Sequence, residues 1–164
     1  MDDSDYAEQL IGLYRGELYG ELLFEALAER SDHSQDANMW RLLVDVERLT
    51  GRRLQARALA LGAEHGVQLE RAQARLRSQL EVLADKSMRE VRKYYQARVP
   101  DNVARLRALQ AAAPAQDHTL LTQVIAHSAV FGECLEHWLA GHIPAAEHVL
   151  RNYLESQSPV AECC

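Results

Sequence analysis

The stretch richest in reactive side chains is 127–138, HSAVFGECLEHW. At about 100° per residue on a helix, His127, Val130, Glu133, Cys134 and His137 fall within roughly 120° of one face. Leu121, Ile125, Leu135 and Leu139 fall on the opposite face. The expectation is a helix with an apolar back and a front carrying a carboxylate, a thiol and two imidazoles, both faces buried. A buried carboxylate must be paired, protonated or bound to a metal, because burying its charge alone is costly. The question for the rest of the chain is what meets Glu133 and His137.

Three further acids interrupt apolar stripes. In a predicted helix over 5–29, the stripe Ala7, Leu10, Ile11, Tyr14, Leu18 and Ala28 carries Glu17 and Glu21, with Glu25 beside it. In a predicted helix over 35–61, Glu47 sits near the centre of the stripe Met39, Trp40, Leu43, Val46, Leu54, Ala58, with Thr50 one turn on. In a predicted helix over 68–97, Glu81 lies near Leu80 and Leu83. In an up-down bundle, residues equally far from a shared turn lie at one height. Counted from turns near 32, 64, 98 and 117, Glu17, Glu47, Glu81 and Glu133 agree in height within about one helical turn, roughly 5 Å. Four ionised acids in one layer would repel severely. Metal ions between them would remove that conflict.

The elements that must position these residues are helices. The chain has 164 residues, 48% hydrophobic and 26% charged, with 4 Pro and 8 Gly, and is rich in helix formers. No strand-like alternation competes. A short piece is expected over 103–112 after Pro100, then a linker over 111–117, a helix over 117–139, and a last helix over 145–156. The expected fold is an all-α antiparallel four-helix bundle with a short fifth C-terminal helix, one domain over 1–157, and a flexible tail over 158–164. The net charge of −6 argues against a nucleic-acid partner. There is no charged-then-apolar leader and no apolar run near 18 residues, so a cytoplasmic protein without a membrane anchor is expected. Cys134, Cys163 and Cys164 give no spaced disulfide framework. Cys134 reads as a small buried hydrophobe.

One carboxylate per helix with imidazole support resembles the ligand plan of ferritin-like di-iron carboxylate proteins. RGELYGELLF around Glu17 resembles the first ligand helix of rubrerythrin-like members, a glycine preceding the ligand and an aromatic residue following it. VDVERLTGRRL resembles the second, with Glu47 in the ligand place, and AVFGECLEHW the fourth, with Glu133 there. The resemblance implies a ferritin-like bundle holding iron, or manganese, through Glu17, Glu47, Glu81 and Glu133, with His137 as nitrogen donor. It implies an oxidoreductase or metal-handling protein and a small oligomer, a homodimer, rather than a storage cage. The chain departs from the plan at Thr50, where His is expected three residues after Glu47. It departs again at Glu136, with the imidazole one position later at His137. Such a site holds a single or weakly bound ion, recruits another ligand such as Glu21 or His127, or holds none.

Two other readings compete. In one, the bundle binds no metal and dimerises or binds a partner through a helix face, with Trp138 and the last helix turned outward. In the other, the protein resembles heme-oxygenase-like helical proteins, with His127 or His137 meeting a tetrapyrrole.

Overall fold

The computed structural model describes residues 2–157, which form helices and no strand. The expected loose tail 158–164, with Cys163 and Cys164, lies outside the described residues. Helix α1 (Asp3–Arg30) begins where the Asp2 carboxylate accepts the Asp5 N–H at 2.8 Å. Asp3 and Asp5 stand near the positive end of its dipole. Helix α2 (Ser34–Ala60) ends before Gly62, whose φ of +94° turns the chain so that the Ala63 N–H reaches back to the Ala58 carbonyl at 3.0 Å. The two form a hairpin in which Arg48 reaches Glu21 at 2.8 Å and Glu25 at 3.3 Å. Those two acids therefore face the surface, paired.

The single helix expected over 68–97 is two. Helix α3 (His65–Leu83) stops, and α4 (Met88–Gln96) starts afresh from a capping box. The Ser87 hydroxyl accepts the Glu90 N–H at 3.3 Å, and the Glu90 carboxylate accepts the Ser87 N–H at 2.8 Å. Arg30 donates to the carbonyls exposed by the break, Leu83 at 2.7 Å, Ala84 at 3.1 Å, and Lys86. Helix α5 (Val99–Ala112) carries Pro100 in its first turn, where a missing N–H costs nothing, so it starts earlier than the expected 103. A 3-10 turn, Ala115–Asp117, leads into α6 (His118–Leu139), and Gly141 at φ +81° turns the chain into α7 (Ile143–Gln157).

Cross-helix contacts set the directions. Helix α3 runs in the same sense as α1, since Tyr14, Tyr19 and Arg30 meet His65, Arg75 and Leu83 in order. Helices α5 and α6 run opposed, Asn102 meeting Ser128 and Gln110 meeting Thr122. Helix α6 opposes α2, with Asp117 on Arg57, His127 on Glu47 and Trp138 on Asp36.

Two apolar clusters form the core. One contains Tyr6, Leu10, Tyr14, Leu54 and Leu121; the other contains Leu23, Phe24, Trp40, Leu135 and Trp138. Trp138 is not an outward contact residue. It is 2% exposed, its ring lies 4.7 Å from that of Trp40, and its indole N–H donates to Asp36 at 2.9 Å. Between the clusters, α1, α2 and α6 each place a polar side chain inside the protein. Among the described residues no helix is long and apolar enough to cross a membrane.

Candidate functional site

A buried network at one end registers three helices. The Tyr6 hydroxyl donates to Asp117 at 2.8 Å, and the Arg57 guanidinium donates to the same carboxylate at 2.9 Å. From that point Glu17, Glu47 and His127 lie about 10 or 11 residues along α1, α2 and α6, roughly 15–17 Å. There they meet. His127 Nε2 is 3.1 Å from Glu47 Oε1, and His127 Nδ1 is 3.2 Å from Glu17 Oε2. All three side chains are at least nine-tenths buried. The Nδ1 contact is bent: Glu17 Oε2 and His127 Nδ1 face each other with no aligned hydrogen bond. Among the described residues this is the one group of three His, Cys, Asp or Glu whose donor atoms could all reach one ion, lying within 4.8 Å of one another.

Burial pushes the Glu47 carboxyl up to about 8, the Glu17 charge adds to the push, and His127 opposes it. Burial also works against the His127 imidazolium. The Glu17 and Glu47 charges outweigh that, and hold its pKa well above the ordinary imidazole value. Without a metal, His127 is therefore a cation held between the Glu17 and Glu47 carboxyl groups.

The helices are shaped to admit these groups. A Cβ at Gly20 would stand 2.5 Å from Glu47 Cδ and closer still to Oε2, so Glu47 occupies the space a side chain on α1 would take. Gly51 lies opposite Glu17, where a Cβ would meet Glu17 Cβ at 3.4 Å. Gly16, one turn before Gly20, faces open space. The pair gives a contrast. Gly16→Ala should raise stability by about 0.5–1 kcal/mol through helix propensity alone. Gly20→Ala should lower it by about 1–3 kcal/mol, because His127 pins the carboxylate that would have to move. Urea melts of the two variants check both signs.

The cluster forms the floor of an open cleft of about 580 Å³ between α1 and the α4–α6 side. Tyr19, Phe24, Tyr95 and Phe131 supply its aromatic walls, and the Tyr19 and Tyr95 hydroxyls lie 3.4 Å apart. Burial raises both phenol pKa values, keeping the hydroxyls neutral.

Of the expected ligands, the structure brings Glu17 and Glu47 together and leaves the other three outside. Glu81 is exposed on α3, which packs along α1 and buries Gln68, Ala72 and Leu83. Its expected height assumed a continuous helix to residue 98, which the Ser87 capping box interrupts. Glu133 is exposed as well. The buried face of α6 is set by Leu121, Val124, Leu135 and Trp138, and Glu133 points roughly 170° away from its centre. His137 is half-buried, its ring 6.3 Å from that of His142, and about 15 Å along the helix from His127. Cys134 is fully buried, and burial pushes its thiol up to about 12, so it is an inert packing group.

The imidazole that meets the two acids is His127, expected only as a recruited alternative, and not His137. It was legible as a residue on the stripe of Val124, Ser128 and Leu135, had the strongest apolar residues been allowed to set the helix phase. Fold and site define a class: an all-helical protein with a buried Glu-His-Glu cluster beneath an open cleft. Comparison with protein-family models, with curated proteins and with solved structures gives no match.

Proposed function

We propose that this chain is a ferritin-like carboxylate protein that holds one divalent iron or manganese ion through Glu17, Glu47 and His127, and serves as an oxidoreductase or in metal handling. The observation that carries the reading is the convergence of three donors from three helices, buried yet at the floor of a cleft. The helix directions support it. Taken as the frame, α1, α2, α4–α5 and α6 make an up-down-down-up four-helix bundle, with α3 as the long crossover, and ferritin-like folds have one such connection. The donor set fits one ion rather than two. The frame's third helix brings Asn102 and its hydrogen bond to Ser128 (3.1 Å) to the cleft, among the described residues no acid of that helix lines it, and Thr50 supplies no imidazole. The ion would bring Lewis-acid or one-electron chemistry to the cleft. The chain's own residues would hold it, with Gly20 making room for Glu47, while the aromatic walls limit water.

A second reading rests on its own observation: His127 already partners both carboxyl groups, at 3.2 and 3.1 Å, without any ion. The bundle is then metal-free and works through its surface, where Leu59, Val67 and Val82 are exposed.

Metal analysis of protein expressed with iron and manganese and purified without chelator separates the two. About one ion per chain is expected, lost in Glu47→Ala and retained in Glu133→Ala, and chelation should lower the melting temperature. No metal in the wild-type protein leaves the second reading. Light scattering on the same sample tests the expected homodimer, twice the 18.5 kDa of the chain.

A further inference from the structure

The cleft carries features that the three ligands do not use. Arg15, Arg75, Arg98 and Arg105 all line it. Among the described residues none of the four is paired with a carboxylate. Arg75 lies over the Tyr19 ring at 4.0 Å, Arg98 over Tyr94 at 3.4 Å, Arg105 donates to Asn102 Oδ1 at 3.0 Å, and Arg15 to Gln68 Oε1 at 3.3 Å. The arginines that do contact carboxylates, Arg48, Arg57, Arg92 and Arg151, sit elsewhere. Four guanidiniums without a carboxylate partner around one opening, against Glu8 as the one exposed acid among the lining residues, make a local positive field on a chain of net charge −6.

At Gly12 and Gly16 the α1 side of the cleft is bare backbone. Gly12 and Gly16 line it one turn apart, and a Cβ at either would meet no packed neighbour, only Arg15 Nη2 at 3.7 Å from Gly12. Each glycine costs the helix about 1 kcal/mol relative to alanine. Unlike Gly20, they return nothing in packing within the protein. A flat ligand body lying against the helix would use that space. The volume is in the range of small-molecule sites, about 300–1,000 Å³.

We propose that the cleft binds a small ligand with a flat apolar body and a terminal oxyanion, a carboxylate or a phosphate. The oxyanion is held by the arginines at the mouth, with Arg98 and Arg105 foremost. The body lies between the Gly12–Gly16 face of α1 and the Tyr95 and Phe131 rings. Its inner end reaches the Glu17, Glu47 and His127 floor. As substrate of a metal centre this ligand rests on the reading above; as occupant of the cleft it does not.

The test uses full-length, chelator-treated protein and calorimetric titration with 2-naphthoate, 2-naphthyl phosphate and neutral 2-naphthalenemethanol. One saturable site per chain is expected for at least one anion. That anion should bind at least about tenfold more tightly than the alcohol, the scale of one charge-assisted hydrogen bond. The tighter of the two anions identifies the oxyanion. Arg98→Gln with Arg105→Gln should weaken the anion at least about tenfold and leave the alcohol unchanged. Gly16→Leu, which projects into open space and leaves the fold intact, should abolish binding of all three. No saturable anion binding, equal affinity for the alcohol, or undiminished binding to Gly16→Leu overturns the proposal. Anion binding by a protein that takes up no metal retains the cleft and removes the metal centre. Metal uptake with no anion binding does the reverse.

Discussion

Replacing His127 by alanine is expected to cost the metal-free protein about 3–5 kcal/mol at pH 8, and far less at pH 5. Among the described residues the imidazolium is the sole positive group paired with Glu17 and Glu47, at 3.2 and 3.1 Å. Without it, two carboxylates face each other in a buried space. At pH 8 they must stay charged without compensation or take up a proton against the bulk. At pH 5 protons are available, and two carboxyl groups can share or each carry one. The loss should therefore grow with pH. Urea melts of wild type and His127→Ala at pH 5 and pH 8 measure it. An equal loss at both would mean that the imidazole acts as packing and not as a charge. Adding Glu47→Gln to His127→Ala should recover much of the pH 8 loss, since one buried charge has then been removed with little change of shape.

The second large effect is the pH dependence of the wild type without metal. Burial holds the Glu47 carboxyl at about 8 against an ordinary 4.5, so the folded chain keeps a proton there that the unfolded chain releases. His127 is held well above its ordinary 6.5. Its stabilisation is complete below that value and is lost as pH climbs through the native pKa. Both shifts have one sign: the native state binds more protons. The unfolding free energy should therefore fall with pH from about 5 upward, at up to about 1.4 kcal/mol per pH unit for each proton separating the states. Melting temperatures from pH 5 to pH 9 should decline, and Glu47→Gln should flatten the decline up to pH 8. A maximum at pH 8 or above would mean that the three groups do not carry protons as the geometry requires. A bound cation would replace the imidazole proton, so metal loading should weaken the dependence and release protons on binding.

The sequence by itself determined the helical class, the helices α1 and α2, and two of the three residues of the buried Glu-His-Glu cluster. Apolar residues at helical spacing set the inward stripes of α1 and α2, and Glu17 and Glu47 fall within those stripes because each is flanked a turn away by Tyr14 and Leu43 and their like. A carboxylate in the middle of such a stripe can be recognised from periodicity alone, since the neighbours it must accompany into the core are local in sequence. The third member was decided by tertiary structure. Periodicity placed His127, Cys134, Glu133 and His137 within one broad face of α6, and the roll of the helix decides which edge of that face is inside. Trp138 packing on Trp40 and Asp117 closing on Tyr6 and Arg57 set the roll, through partners 60 to 111 residues away in the chain. The place of α3 was likewise decided in three dimensions. Ser87 and Glu90 cut a periodic stretch in two, and α3 was left running along α1 while α4 and α5 turned back beside α6. A helical period says which residues share a face. Only contact with the other helices says which face is inside and at what height.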